Sequence, residues 1–184
     1  MSFKDLHIIK PLLRAVADSG YDEPTLIQQR CIPAILDKKD VIASAQTGTG
    51  KTAGFALPIL QLLFDKQDAP KRGKKVRALI ISPTRELAVQ INENFKAYAK
   101  YTNLRSAVLF GGTSIEPQIE ILKKGIDILI ATPGRLLDLH KQDYVNLDYI
   151  ETFVLDEADL MLDMGFIDDV KKIERLCPET KQVL

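Results

Sequence analysis

The stretch ASAQTGTGKTAGFALP, Ala43 to Pro58, holds the residues best suited to chemistry. Gly48, Gly50, Lys51 and Thr52 have the types and spacing of a phosphate-binding loop, G-x-x-x-x-G-K-[ST], except that Ala45 stands where the pattern has glycine. Such a loop captures anions. Successive backbone N–H groups across Gln46, Thr47, Gly48 and Thr49 turn inward, and a helix starting near Lys51 adds the positive end of its dipole. Gly48 and Gly50 lack a Cβ, so phosphate oxygens can approach the backbone closely. Lys51 is placed to reach β and γ phosphates, and the Thr52 hydroxyl suits Mg²⁺. The Ala45 methyl adds little bulk provided its φ stays negative.

A phosphate loop alone hydrolyses nothing. TFVLDEAD, from Thr152, supplies the second half: an apolar run that delivers Asp156 and Glu157 at its carboxyl end, the edge where open α/β sheets bind ligands. Adjacent residues leaving a strand point opposite ways, so two carboxylates can take two tasks. Asp156 is assigned to Mg²⁺ through a water, and Glu157 to orienting and deprotonating the attacking water. Lys51, Asp156 and Glu157 are thus the candidate catalytic residues, and Thr52 and Asp156 the candidate metal ligands.

These groups need a scaffold, and the chain supplies strand and helix in turn. Five apolar runs without alternation read as strands buried on both faces: VIAS from Val41, RALIIS from Arg77, SAVLF from Ser106, DILIA from Asp127 and TFVLD from Thr152. Between them Leu87, Ile91, Phe95 and Tyr98 fall at helical spacing and form one apolar stripe. The alternation predicts an α/β domain, a mostly parallel central sheet with helices on both faces. Upstream, Pro11 marks a helix start, Gly20 its end, and Thr25 the cap of a second helix. Polar residues 66–76 predict a loop. The terminal ETKQVL turns apolar as though entering a sixth strand, which reads as a fragment cut at that strand.

Composition narrows the partners. With 184 residues, 46% apolar and 27% charged, one domain over 1–184 is expected, soluble and cytoplasmic, since no run of about 20 apolar residues and no signal-like start is present. Basic and acidic residues cancel at 25 each, so any polyanion site must be local. KRGKKVR, Lys71 to Arg77, reads as a solvated loop in preference to a nucleic-acid patch. Cys31 and Cys177, far apart in helix-like patterns, read as reduced core residues, and the isolated His7 and His140 take no ligand role.

Asp156-Glu157-Ala158-Asp159 spells DEAD, and here the chain resembles the DEAD-box RNA helicases over nearly its whole length, with phrasing closest to the bacterial RhlE-type branch. GYDEPTLIQ, Gly20 to Gln28, is similar to the family's Q motif, within a Q motif region 1–29 that has Phe3 at the spacing of the upstream aromatic. AQTGTGKT resembles the first motif, which this family writes with alanine. PTRELA from Pro83, Gly111-Gly112 and TPGR from Thr132 resemble the segments that hold RNA, and VLDEADLMLDMGF the second motif. The resemblance implies a RecA-like P-loop domain that uses ATP and Mg²⁺. It implies adenine recognition by Gln28, whose amide donates and accepts as the adenine N6 and N7 edge requires, with Phe3 and Tyr21 alongside.

For RNA the resemblance implies phosphate and 2′-OH contacts from Pro83, Thr84, Arg85, Gly111, Gly112, Thr132, Pro133, Gly134 and Arg135. Helix capping by Thr84 and Thr132 is the plainer reading of those hydroxyls, and the two are compatible. Such contacts ignore base identity, so recognition is expected to be largely sequence-independent. A second RecA-like domain, absent from this chain, is implied in cis with the arginines that touch the γ-phosphate. Losing such arginines costs about 10³–10⁵ in rate, so this chain alone is expected to bind nucleotide and hydrolyse it poorly, with Asp159 idle. Two rivals stay open: an ATP-gated RNA clamp, and a small-molecule P-loop kinase.

Overall fold

The structure, a computed structural model, describes residues 1–46, 48–64 and 75–184. Thr47 of the phosphate loop, most of the expected 66–76 loop and Lys71 to Lys74 of the basic run lie outside the described residues. These fall into two compact units. One draws on Met1–Ala69 and Glu93–Leu104 with Leu184, the other on Pro70–Asn92 and Arg105–Val183. No helix among the described residues is long and apolar enough to cross a membrane.

The second unit is built on a five-stranded sheet. Its strands are β1 (Ala78–Ile81), β2 (Ser106–Leu109), β3 (Ile128–Ala131), β4 (Thr152–Leu155) and β5 (Gln182–Val183). They run in the order β2-β3-β1-β4-β5, and all four pairings are parallel. Both β1 (ALII) and β3 (ILIA) are buried at every position, as strands covered on both faces require. The odd face carries Leu79, Ile81, Leu129, Ala131 and Phe153. These join Leu122 of α5 (Glu116–Lys123), Leu136 and Leu139 of α6 (Pro133–Lys141), Met161 of α7 (Ala158–Asp163) and Val170 and Ile173 of α8 (Ile167–Leu176) in one apolar core. Four expected strands and the terminal KQVL strand are therefore present.

The run VIAS is not a strand. Residues 41–46 are irregular and Ile42 is fully exposed. Apolar content supplies side chains for a strand, whereas a strand exists only once a neighbour satisfies its N–H and C=O groups.

Arg77 also departs from expectation. It is buried at 2% exposure, its Nε donates to Glu151 Oε1 at 2.8 Å, and Lys75 sits 4.5 Å from the centre of the Tyr149 ring. The end of the basic run is thus structural, neither a solvated loop nor a nucleic-acid patch. Removing one member of such a pair strands a buried charge. Glu151→Ala is expected to lower stability by about 3 kcal/mol in urea unfolding, the lower end for buried pairs because Glu151 keeps 30% exposure. Replacing the pair together, Arg77→Met with Glu151→Leu, is expected to recover most of that loss; a loss below about 1 kcal/mol in the single variant would show the pair to be unimportant.

The first unit holds α1 (Lys10–Asp18), α2 (Leu26–Leu36), α3 (Lys51–Phe64) and the end of α4 (Arg85–Tyr98). Pro11 opens α1 and Gly20, at φ +75°, follows its end, as the sequence reading has it. Buried Gln61 of α3 ties down the amino-terminal segment: its Oε1 accepts from Ile9 N–H at 3.0 Å and its Nε2 donates to His7 C=O at 3.0 Å. Both cysteines are free and buried, Cys31 in α2 and Cys177 after α8. Burial raises both thiols, Cys177 to about 11. At pH 8, three units lower, roughly one Cys177 in a thousand is thiolate, so neither cysteine should label with a disulfide reagent until the chain is unfolded. Rapid labelling of the native protein would contradict this packing.

Candidate functional site

The phosphate loop turns at Gly48 and Gly50, with φ +84° and +85°, values that glycine alone adopts without strain. Ala45 is not among the residues with positive φ, so its methyl is tolerated as expected. The Thr49 hydroxyl donates back to Gln46 C=O at 2.7 Å, closing the turn, and α3 begins at Lys51 with the Gly54 N–H donating to Gly50 C=O at 3.2 Å. Lys51 and Thr52 stand in the first turn, half-buried.

Gln28 lies against this loop. It is fully buried, its Oε1 accepts from Thr25 N–H at 3.0 Å, and its Nε2 donates to Gly50 C=O at 3.0 Å. The Thr25 hydroxyl donates to Thr49 C=O at 2.9 Å. The start of α2 therefore clamps the loop from one side. Gln28 as found faces protein with both ends of its amide, and it presents no open edge to a base. Phe3, expected beside the nucleotide, is 4% exposed and belongs to the core, as do Leu6 and Ile8. Tyr21 is half-buried against Tyr98, with ring centres 6.3 Å apart and the Tyr98 hydroxyl donating to that of Tyr21 at 3.3 Å.

In the second unit the parallel ladder aligns the strand ends. Ile81 is level with Ala131 and with Leu155, and Leu109 with Ala131. One residue further, Ser82 N–H donates to Ala131 C=O, Thr132 N–H to Leu109 C=O and Asp156 N–H to Ile81 C=O, each at 3.0 Å. Segments following four neighbouring strands thus leave one edge together, the edge where α/β sheets bind ligands. Pro83, Arg85, Gly111, Thr132, Pro133, Gly134 and Arg135 share an open cleft of about 480 Å³ there. Thr84 and Gly112 flank it. The Thr84 hydroxyl accepts from Leu87 N–H at 3.3 Å and so caps α4, whereas the Thr132 hydroxyl makes no such bond to α6. The plainer reading holds for the first threonine and not for the second.

Sequence reasoning missed Phe110, Asp138 and Phe166, which complete the lining. The guanidinium of Arg85 stacks 4.8 Å from the Phe110 ring centre. Phe110 directly precedes the glycine pair and Phe166 closes the DEAD segment, so position beside a motif was the available signal.

The acidic pair differs in detail from its expected arrangement. Asp156 continues the β4 ladder, but Glu157 leaves it in the left-handed region, φ 54° and ψ 51°, and stands at the start of α7. Glu157 thus leaves the strand backbone on which the pleat alternation was expected. A non-glycine residue held there costs about 1–2 kcal/mol, a conformation that His7, Lys38 and Asp143 also adopt. Asp159 is exposed, and its only side-chain hydrogen bond among the described residues is from Leu160 N–H at 2.9 Å.

An all-parallel sheet with helices around it, a glycine loop opening a helix, and an acidic pair at the sheet's carboxyl edge together define a RecA-like P-loop domain. The comparisons with known proteins name the family. A family model described as DEAD/DEAH box helicase matches residues 25–184. The DEAD-box ATP-dependent RNA helicase RhpA of Helicobacter pylori is 44% identical over 183 residues, spanning 100% of this chain and 36% of that protein. The ATP-dependent RNA helicase CshA of Limosilactobacillus reuteri is 46% identical, with the same two coverages. A crystal structure of a DEAD box protein from Methanococcus jannaschii superposes with a TM-score of 0.89 at 40% identity, covering 100% of this chain and 49% of that one. The chain belongs to the DEAD-box helicase family, as an amino-terminal RecA-like domain. It spans about a third of the length of these relatives, which fix the family and leave the branch within it open.

Proposed function

We propose that this chain is the nucleotide-binding half of a cytoplasmic ATP-dependent RNA helicase, in which ATP turnover is coupled to local opening of short RNA duplexes. The observation that carries the reading is the cleft at the sheet edge, where segments following three strands meet beside the strand that bears Asp156. Bound Mg²⁺ would neutralise charge developing on the phosphates. No cluster of three acidic, histidine or cysteine side chains among the described residues forms a dedicated metal cage, which suits an ion that keeps several waters and takes one carboxylate plus phosphate oxygens.

In this reading the loop amides and Lys51 bind the triphosphate, and Thr52 and Asp156 hold the ion. Glu157 orients the attacking water and accepts its proton. Gln28 stiffens the loop as it reads adenine, exchanging one of its present partners. Pro83, Thr84, Arg85, Gly111, Gly112, Thr132, Pro133, Gly134 and Arg135 hold the RNA backbone. A second RecA-like domain in the complete protein closes over both ligands, so the 184-residue chain alone binds nucleotide and turns it over poorly. The test is RNA affinity across a salt series for Arg85→Ala and Arg135→Ala in the complete protein. Each variant is expected to weaken RNA binding about tenfold and to reduce the salt slope by about 1. Unchanged affinity, with ATP turnover indifferent to RNA, would point instead to a small-molecule kinase.

A further inference from the structure

β2 is the outermost strand on its side of the sheet, and its neighbour β3 is followed by Thr132, whose N–H takes the C=O of Leu109. Backbone groups alternate sides along a strand, so the N–H and C=O of Phe110 face outward, where no strand lies among the described residues. Partly buried as they are, both need partners. One side chain supplies the two. Gln118 Oε1 accepts from Phe110 N–H at 3.2 Å and its Nε2 donates to Phe110 C=O at 3.1 Å, so a primary amide stands in for the missing neighbour.

The same Nε2 reaches across the glycine pair. Ser114 C=O lies 3.2 Å from it and the Thr113 hydroxyl oxygen 3.3 Å, so the hydrogens of one NH₂ are shared among acceptors on both sides of Gly111-Gly112. Packing does little to hold the glycines: a Cβ on either would meet nothing within 4 Å, and Gly112 keeps φ +75°. Gln118 is 7% exposed and shares one side of α5 with Leu122, a core residue four positions on, so a fixed helix carries the amide.

From the amide the contacts run on to two cations. The Phe110 ring, whose backbone Gln118 holds, has the Arg85 guanidinium 4.8 Å from its centre. Thr113, held by its hydroxyl, accepts at its C=O from Arg135 Nη2 at 3.1 Å. We propose that Gln118 is a positioning residue for RNA: it touches no RNA itself, and it sets the Gly111-Gly112 turn and, through that turn, Arg85 and Arg135. It rests on the RNA reading above and adds a residue that lies behind the contacts.

The experiment is RNA binding by the complete protein with a non-hydrolysable ATP analogue, using a short fluorescein-labelled uridine RNA across a salt series. Gln118→Met keeps the length of the side chain and removes its hydrogen bonds, with no change of charge. RNA affinity is expected to fall about tenfold and the salt slope by about 1, because displaced arginines give up a phosphate contact. A role confined to holding the fold would leave that slope alone, since no cation is removed. Arg135→Ala, expected to cost about tenfold in the parent, should cost about threefold at most once Gln118→Met is present. Circular dichroism checks the fold. Should Gln118→Met not fold, Gln118→Asn, which keeps an amide on a shorter arm, takes the same measurements with smaller expected losses in the same direction. Affinity within about twofold of the parent, an undiminished slope, or losses that simply multiply would overturn the positioning role and leave the RNA reading standing. If Arg85→Ala and Arg135→Ala also leave RNA affinity unchanged, the RNA reading fails and this role with it.

Discussion

Glu157→Gln in the complete protein, at saturating RNA, should lower ATP turnover by about 10²–10⁴-fold, the usual contribution of a positioned general base. Nucleotide affinity should change little, because the substitution keeps the length and hydrogen-bonding reach of the side chain and removes only its basicity. The backbone argument separates this from a folding defect. Glutamine tolerates φ 54° no worse than glutamate, so the thermal midpoint should hold within a few degrees. Single-turnover hydrolysis together with binding of a fluorescent ATP analogue makes the measurement. Turnover within tenfold of the parent would remove Glu157 from the role of base and shift attention to Asp156.

The second large effect concerns Gly50→Ala. A Cβ there would lie 2.3 Å from Gln28 Nε2, and the backbone sits at φ +85°. Gln28 cannot easily step aside, since it is fully buried and its amide is held at both ends by Thr25 and Gly50. Backbone strain of about 1–2 kcal/mol and a disturbed buried amide of about 1–3 kcal/mol together predict a stability loss of about 2–5 kcal/mol. Nucleotide affinity should fall more than tenfold. Gly48→Ala is the matched comparison: its φ is +84°, but its Cβ would meet nothing within 4 Å. Urea unfolding of both, and of each combined with Gln28→Ala, isolates the Gln28 contact as a coupling. Equal losses at Gly48 and Gly50 would show that strain alone matters and that Gln28 does not brace the loop.

What the sequence made legible was local. Glycines before Lys-Thr, buried strands without alternation and a strand ending in Asp-Glu each carry their pattern within a dozen neighbours, and the structure keeps four of the five strands on that basis. The readings that changed depended on distant partners. VIAS has strand composition and no strand neighbour. Arg77 looked like loop charge because its partner Glu151 lies 74 residues away. Phe3 was read from spacing, which carries no sign of its burial in the core. Asp138 carries no motif of its own, and only the α6 surface places it next to Arg135. The left-handed backbone at Glu157 was equally invisible, since nothing in Asp-Glu-Ala-Asp announces a reversal of φ.

The three hydrogen bonds that carry the ladder one residue past β1, β3 and β4 constrain how signals can pass. Ser82, Thr132 and Asp156 are riveted to adjoining strands by bonds of equal length, each 3.0 Å. Moving Thr132 relative to Asp156 would mean shearing a buried parallel sheet. The sheet edge that carries these residues therefore behaves as a stiff plate. In the helicase proposed above, whatever tells the acidic pair that RNA has arrived must tilt that plate as a whole, or act on the loops that hang from its rim.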